Sequence, residues 1–184
     1  MLEFAILGLL HESPLHGYEL RKRLNTMLGH FRAFSYGSLY PCLTKLEAAG
    51  WIAKDLDGTA GAGRRSKVVY KLTAEGKERF QERLAEAGPS QWEDDGFGVH
   101  FAFFAQTEAS TRLRILEGRR NRLEERSAGF RAALTRTREK LDAYTLELQR
   151  HGLDSVEWEL RWLNELIDGE RMHGGPPAHN VDNT

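Results

Sequence analysis

The sequence predicts a mainly helical protein with one small β-hairpin, divided into an N-terminal head and a helical C-terminal region. Three observations carry this. Apolar residues recur at helical spacing over most of the chain. One short pair of strand-forming runs, "WIAKDL" and "SKVVYKL", flanks the Gly-rich stretch "DGTAGAGRR". Charge is unevenly divided: from Pro14 to Lys71 there are ten Lys or Arg against four Asp or Glu, and from Ala87 onward thirteen against seventeen. A basic head and an acidic remainder suggest two separate tasks.

The first thirty residues read as two helices. Phe4, Leu7 and Leu10 line one face of the first, and "ESPLHG" breaks it, because Pro14 biases Ser13 away from the helical region. Leu20, Leu24 and Met27 or Leu28 mark the second, which stops near Gly29. A third runs from about Tyr36–Ser38 to Ala49, with Leu39, Leu43 and Leu46 on one face and Gly50 closing it. The hairpin follows, then the helix "TAEGKERFQERLAEAG" with Thr73 as N-cap.

The order helix, helix, helix, hairpin, helix over residues 1–87 is that of a winged helix-turn-helix domain. In that architecture the N-terminal part of the third helix faces base edges in the major groove. The head of this helix is unusual. Gly37, Ser38, Tyr40 and Pro41 are read as its first turn, where the backbone N–H groups have no intrahelical partner and Pro is tolerated. Gly37 permits close backbone approach, and the Ser38 and Tyr40 hydroxyls can bond phosphate or a base edge. Thr44 and Lys45 fall on the outer side of the helix. In the wing, Arg64, Arg65 and Lys67 place three cations within four residues, suited to a minor groove.

Residues 88–107 are read as a linker, "GPSQWEDDG", followed by an aromatic segment. Residues 108–172 are read as a helical dimerisation region. From Glu108 to about Arg150 two heptad rows, 113–120–127–134–141–148 and 116–123–130–137–144, form an imperfect coiled-coil-like stripe interrupted by Arg120, Ser127 and Thr137. "HGLD" reads as a turn, with Asp154 and Glu157 as the capping box of a last helix. Residues 173–184 read as a disordered tail. Trp92, Phe97, Phe101, Phe104, Trp158 and Trp162 form an aromatic set, read as dimer core with an effector pocket between protomers as the alternative.

Several function classes find no support. The longest apolar stretch, near "LEFAILGLL", falls far short of the roughly 20 residues of a membrane span. It also lacks the marks of a secretory leader. The single Cys42 allows no internal disulfide, and a reducing cytoplasm is the expected compartment. "GTAGAG" lacks the Lys-Ser/Thr of a phosphate loop. The seven histidines show no paired metal spacing, so neither metal nor cofactor is expected, and no catalytic constellation is placed.

"HGYEL", "SYGSLYPCLTKLEAAGWI" and "GRRSKVVYKLTAEGK" strongly resemble the PadR-like transcriptional regulators, closely over residues 1–87 and loosely beyond. The resemblance implies a cytoplasmic, homodimeric regulator of double-stranded DNA, most often a repressor, released by a small-molecule effector in many members. It assigns the recognition-helix head to Gly37, Ser38, Leu39, Tyr40 and Pro41, and Tyr36 beside them is a further candidate DNA contact. A backbone-phosphate contact falls to Tyr18, and the basic wing strand to Arg64, Arg65 and Lys67. The wing departs from the family pattern: "GRRSK" stands where a Pro often follows the first basic residue. The alternative reading is a winged helix that contacts protein rather than DNA.

Overall fold

The computed structural model describes residues 1–29, 36–56, 68–137 and 142–175. Among them the chain is mainly helical, with one small antiparallel sheet, and it divides into two compact units. The first comprises residues 1–86 and 94–107, the second residues 87–93 and 108 onward. The expected linker at 88–107 is therefore shared out: "GPSQW" goes to the second unit and the aromatic segment to the first.

In the first unit, α1 (Leu2–Glu12) is buried from Phe4 through Leu10, so it forms the centre of the domain rather than a surface helix. Ser13 at its end is extended, as the following proline dictates. Next come α2 (Gly17–Leu28), α3 (Tyr36–Ala48) and α4 (Ala74–Ala85). The two wing strands are β2 (Ile52–Leu56) and β3 (Val68–Leu72). A two-residue strand, β1 (Leu15–His16), pairs with β3 and completes a sheet of order β1-β3-β2. Leu15 faces Tyr70, and Ile52 faces Leu72. Two residues carry no periodicity, so β1 was not legible in sequence. Gly50 adopts φ 74° between α3 and β2, a left-handed conformation that favours glycine. Thr73 caps α4, its Oγ1 accepting from the Gly76 N–H at 3.0 Å.

The aromatic segment forms α6 (Asp94–Phe101) and a short 3₁₀ turn, Phe104–Gln106. It closes the core of the first unit. Phe103 packs edge-on against Phe4 (5.2 Å between ring centroids) and Phe80 (5.8 Å). His100 stacks on Phe4 at 4.5 Å.

The second unit is built on α5 (Pro89–Trp92), α7 (Ala109–Thr137) and α8 (Ala143–His173). Cross-helix pairs run in opposite order, Arg112 to Glu170 and Arg131 to Glu157, so α7 and α8 are antiparallel. Here the structure corrects three expectations. The stripe from Glu108 to about Arg150 is not one helix: α7 is described to Thr137, and α8 starts afresh at Ala143. The heptad stripe is not continuous: Leu116 and Leu123 are buried on α7, whereas Tyr144 and Leu148 stand exposed on α8. "HGLD" is helical, and Asp154 and Glu157 lie inside α8. The reason is the cap. Asp142 Oδ1 accepts from the Tyr144 and Thr145 N–H groups at 2.9 and 3.0 Å, starting the helix there. A lone helical glycine costs only about 1 kcal/mol, and Gly152 lies against Phe130 within the packed pair. Gly118 serves close packing too: a β-carbon there would overlap the Trp92 indole. Gly174, at φ 66°, ends α8. The remainder of the expected tail, 176–184, lies outside the described residues.

Candidate nucleic-acid interface

The leucine stripe sets the orientation of α3. Leu39, Leu43 and Leu46 are all essentially sealed, at 0%, 1% and 1% exposure, which turns the opposite side outward. Gly37, Ser38, Tyr40, Pro41, Thr44 and Lys45 are exposed, as a groove-reading face requires. The helix starts at Tyr36, whose side chain lies outside the described residues. Pro41 is consequently its sixth residue, in the second turn rather than the expected first. There the ring withholds the N–H that would reach the Gly37 carbonyl in a regular helix.

The other α3 residues are further specified by their contacts. The Thr44 hydroxyl donates back to the Tyr40 carbonyl at 3.1 Å, leaving its oxygen to accept. Lys45 Nζ donates to Glu3 Oε1 on α1 at 2.5 Å, and the hydrogen bond and charge of Glu3 raise its pKa. The cation read as an outer-face contact thus already has a carboxylate partner.

Tyr18 and Tyr40 come together across α2 and α3. Each keeps much of its surface in solvent, 60% and 47%. The Tyr40 phenol lies over Gly17, with its hydroxyl 3.2 Å from where a β-carbon would stand. Both rings line one groove of about 940 Å³, with Lys22, Arg23, Val68 and Tyr70 among its other walls. Tyr70 is buried, and that burial raises the pKa of its hydroxyl. His16 anchors this corner: its Nδ1 lies 3.1 Å from the Val68 carbonyl, and its backbone N–H donates to Glu19 Oε2 at 3.2 Å.

Sequence reasoning overlooked Lys22 and Arg23. Their signal was spacing, since Lys22 follows Tyr18 by four residues and so shares its helix face. The wing cations Arg64, Arg65 and Lys67 lie outside the described residues. The aromatic set divides three and three. Phe97, Phe101 and Phe104 form a chain of rings in the first unit, with centroids 5.7 and 4.9 Å apart. Trp92, Trp158 and Trp162 belong to the second, where Trp92 packs on Gly118 and Trp158 is 62% exposed. Cys42 is half-buried, and burial pushes its thiol up to about 11, away from nucleophilic use. Among the described residues no cluster of His, Cys, Asp and Glu could hold a metal ion, and no helix is long and apolar enough to cross a membrane.

Three helices, a wing sheet and an outward, hydroxyl-bearing third-helix head define a winged helix-turn-helix protein. Residues 6–82 match the model of the transcriptional regulator PadR-like family. A curated relative is the negative transcriptional regulator PadR of Bacillus subtilis (strain 168), 33% identical over 91 residues, which are 48% of each chain. The chain thus spans about half the length of that relative in the match. Among solved structures, Bacillus subtilis PadR in complex with operator DNA is similar at 20% identity, over 91% of this chain and 97% of that one, with a TM-score of 0.45. A PadR-like transcriptional regulator from Bacillus cereus is similar at 22% identity, over 93% and 98%, with a TM-score of 0.42. The likeness to this family rests on the residue 6–82 match rather than on these scores.

Proposed function

We propose that this protein is a homodimeric DNA-binding transcriptional regulator, acting as a repressor at a near-palindromic operator in the cytoplasm. The observation that carries the reading is the outward head of α3: Ser38 and Tyr40 are exposed while the leucines behind them are sealed. Each protomer offers this head to a major groove and its wing to the adjacent minor groove. Tyr18, Tyr36, Gly37, Ser38, Tyr40, Pro41 and Thr44 make the helix-side contacts, and Arg64, Arg65 and Lys67 the wing contacts. Residues 1–87 are the DNA-binding domain, and 108–172 supply dimerisation.

Dimerisation finds support on α8. Tyr144, Leu148 and Trp158 are 90%, 70% and 62% exposed. At 100° per residue the three fall within one face of the helix. A large apolar face left in water is what a partner subunit removes. Two heads related by two-fold symmetry then read half-sites about one helical turn apart, or a multiple of it. A small-molecule effector would release DNA by favouring a dimer state with the heads wrongly spaced, which requires unequal affinity for the two states.

An electrophoretic shift with the promoter region of the protein's own gene tests the reading. The wild type should retard that DNA, and Tyr40→Ala should weaken binding by about 1–3 kcal/mol with the fold intact. Equal affinity would remove Tyr40 from the interface. Trp158→Ala should raise the dimer dissociation constant, by about 2 kcal/mol if it is a central anchor. Sedimentation equilibrium that shows the same association for both proteins would leave that helix face out of the dimer.

A further inference from the structure

The sequence places Lys45 on the outer side of the recognition helix, and the structure pairs it with Glu3. The groove between α2 and α3 holds four charged side chains: Glu12, Glu19, Lys22 and Arg23. Three of them are engaged. Glu19 Oε2 accepts the His16 backbone N–H at 3.2 Å, and Arg23 lies 3.8 Å from Glu12. Lys22 is exposed and carries no ion pair or hydrogen bond among the described residues.

Lys22 also has the right neighbours. It stands one helical turn beyond Tyr18, on the same face of α2, and both share the groove with the Tyr40 phenol from α3. An unpaired ammonium flanked by two exposed tyrosines matches what a phosphodiester needs: one compact positive charge and hydroxyl donors for its oxygens. The mixed lining matters as well. With Glu12 and Glu19 occupied locally, Lys22 is the group whose charge is available to an anion approaching the mouth of the groove.

We infer that Lys22, on α2, holds a DNA backbone phosphate beside Tyr18 and Tyr40 and supplies the helix-side charge that Lys45 does not. The inference rests on the DNA-binding reading above and deepens it by naming a contact outside the recognition helix. Such a contact positions the domain on the duplex and carries no sequence information. Lys22→Gln should therefore weaken binding to every duplex alike, whereas a residue that reads bases weakens the operator selectively.

The test uses the full chain and a mixed-sequence DNA duplex a few helical turns long, titrated by fluorescence anisotropy over a range of salt concentrations. Neutralising one phosphate contact lowers the slope of log affinity against log salt by about 0.9 per protomer. Lys22→Gln should show that loss, Lys22→Arg should restore most of the slope, and Lys45→Gln should change it much less. A slope unaltered in Lys22→Gln while the wild type binds salt-dependently overturns the Lys22 assignment and leaves the DNA-binding reading standing. A larger loss in Lys45→Gln than in Lys22→Gln overturns it as well, by returning the contact to α3. A wild type that binds no duplex at low salt overturns both. Circular dichroism of each variant establishes that a lost slope comes from a folded protein; the exposure of Lys22 makes the substitution compatible with the fold.

Discussion

The winged-helix unit and the helical pair bury different chemistry. The first closes around apolar side chains, with Phe4, Phe80 and Phe103 in mutual ring contact and Leu20, Leu24, Leu39 and Leu43 sealed about them. Its ion pairs, such as Lys71–Asp55 and Arg79–Glu82, lie in solvent. The second unit takes charges inside. Arg112 pairs with Glu170 through two hydrogen bonds of 2.9 and 2.7 Å, with side chains only 13% and 4% exposed. Arg119, similarly buried, holds Glu159 at 2.8 Å and the Trp92 carbonyl at 3.1 Å. Meanwhile large apolar groups of α8 remain outside. An apolar core is tolerant of approximate fit, whereas a buried ion pair demands one register. The lesson is that the head is specified by hydrophobicity alone, whereas the helical pair adds matched charges to its seam of Ile115, Leu116, Leu123, Leu163 and Ile167.

The sharpest way to break this comparison is to remove half of a buried pair. Glu170→Ala removes the carboxylate from the buried Arg112 guanidinium, which still donates to the Gly174 carbonyl at 2.6 Å. Stranding one member of a buried pair typically costs about 3–5 kcal/mol. We expect denaturant unfolding to show a loss of that order for the α7–α8 unit. Surface charge removal in the head, Asp55→Ala, should cost less than about 1 kcal/mol. The double variant Arg112→Met, Glu170→Leu should recover much of the loss, because apolar replacements need no counter-charge. Equal losses in the two units would contradict the contrast.

The head buries an imidazole in its aromatic core, and acid tests it. His100 is 3% exposed, its Nε2 has no hydrogen-bond partner among the described residues, and its ring stacks on Phe4. Burial first, then the positive charge of Arg83 and of the chain's amino terminus, lowers its pKa from 6.5 to about 4. The unfolded chain therefore binds the proton at a higher pH than the folded one. Stability is fully present above the ordinary histidine pKa and falls as the pH drops toward the folded value, by roughly 3 kcal/mol in all. His100→Phe should flatten this part of the pH profile, measured as the difference in unfolding free energy between wild type and variant. Parallel profiles would mean that His100 finds a proton acceptor in the folded state.

How far the sequence could be read follows the same division. In the head, single residues have local meanings: Pro14 ends α1, Gly50 takes a left-handed conformation, and Thr73 caps α4. The leucine spacing on α3 correctly told which side faces out. What escaped was set by tertiary contact. β1 exists only because β3 lies beside it, and Lys45 is engaged only because Glu3 comes within reach from α1. In the helical pair, the heptad count ran on through the junction of two helices, since apolar period alone does not mark where a chain reverses. Ser127, which interrupted the stripe on paper, is buried within it all the same.

The two N-caps give the finest comparison, because one was legible and the other was not. Thr73 stands directly before an evident helical pattern. Its hydroxyl accepts from Gly76 N–H and donates to the Gly50 carbonyl at 2.7 Å, so Thr73→Ala should cost about 1 kcal/mol of global stability. Asp142 caps α8 with both carboxylate oxygens, the second accepting from the Thr145 hydroxyl at 2.6 Å. The Thr145 hydroxyl and N–H hold its pKa below the ordinary value. Its contribution is accordingly present above the ordinary carboxylate pKa and lost as the pH falls through the lowered one. Asp142→Ala should fray the start of α8, seen as faster amide exchange over residues 144–148. Asp154→Ala should leave exchange there unchanged, because Asp154 is an exposed residue inside the helix. If Asp154→Ala instead frayed the helix from residue 155 onward, α8 would begin where "HGLD" first suggested, and the register that pairs Arg131 with Glu157 would have to be redrawn.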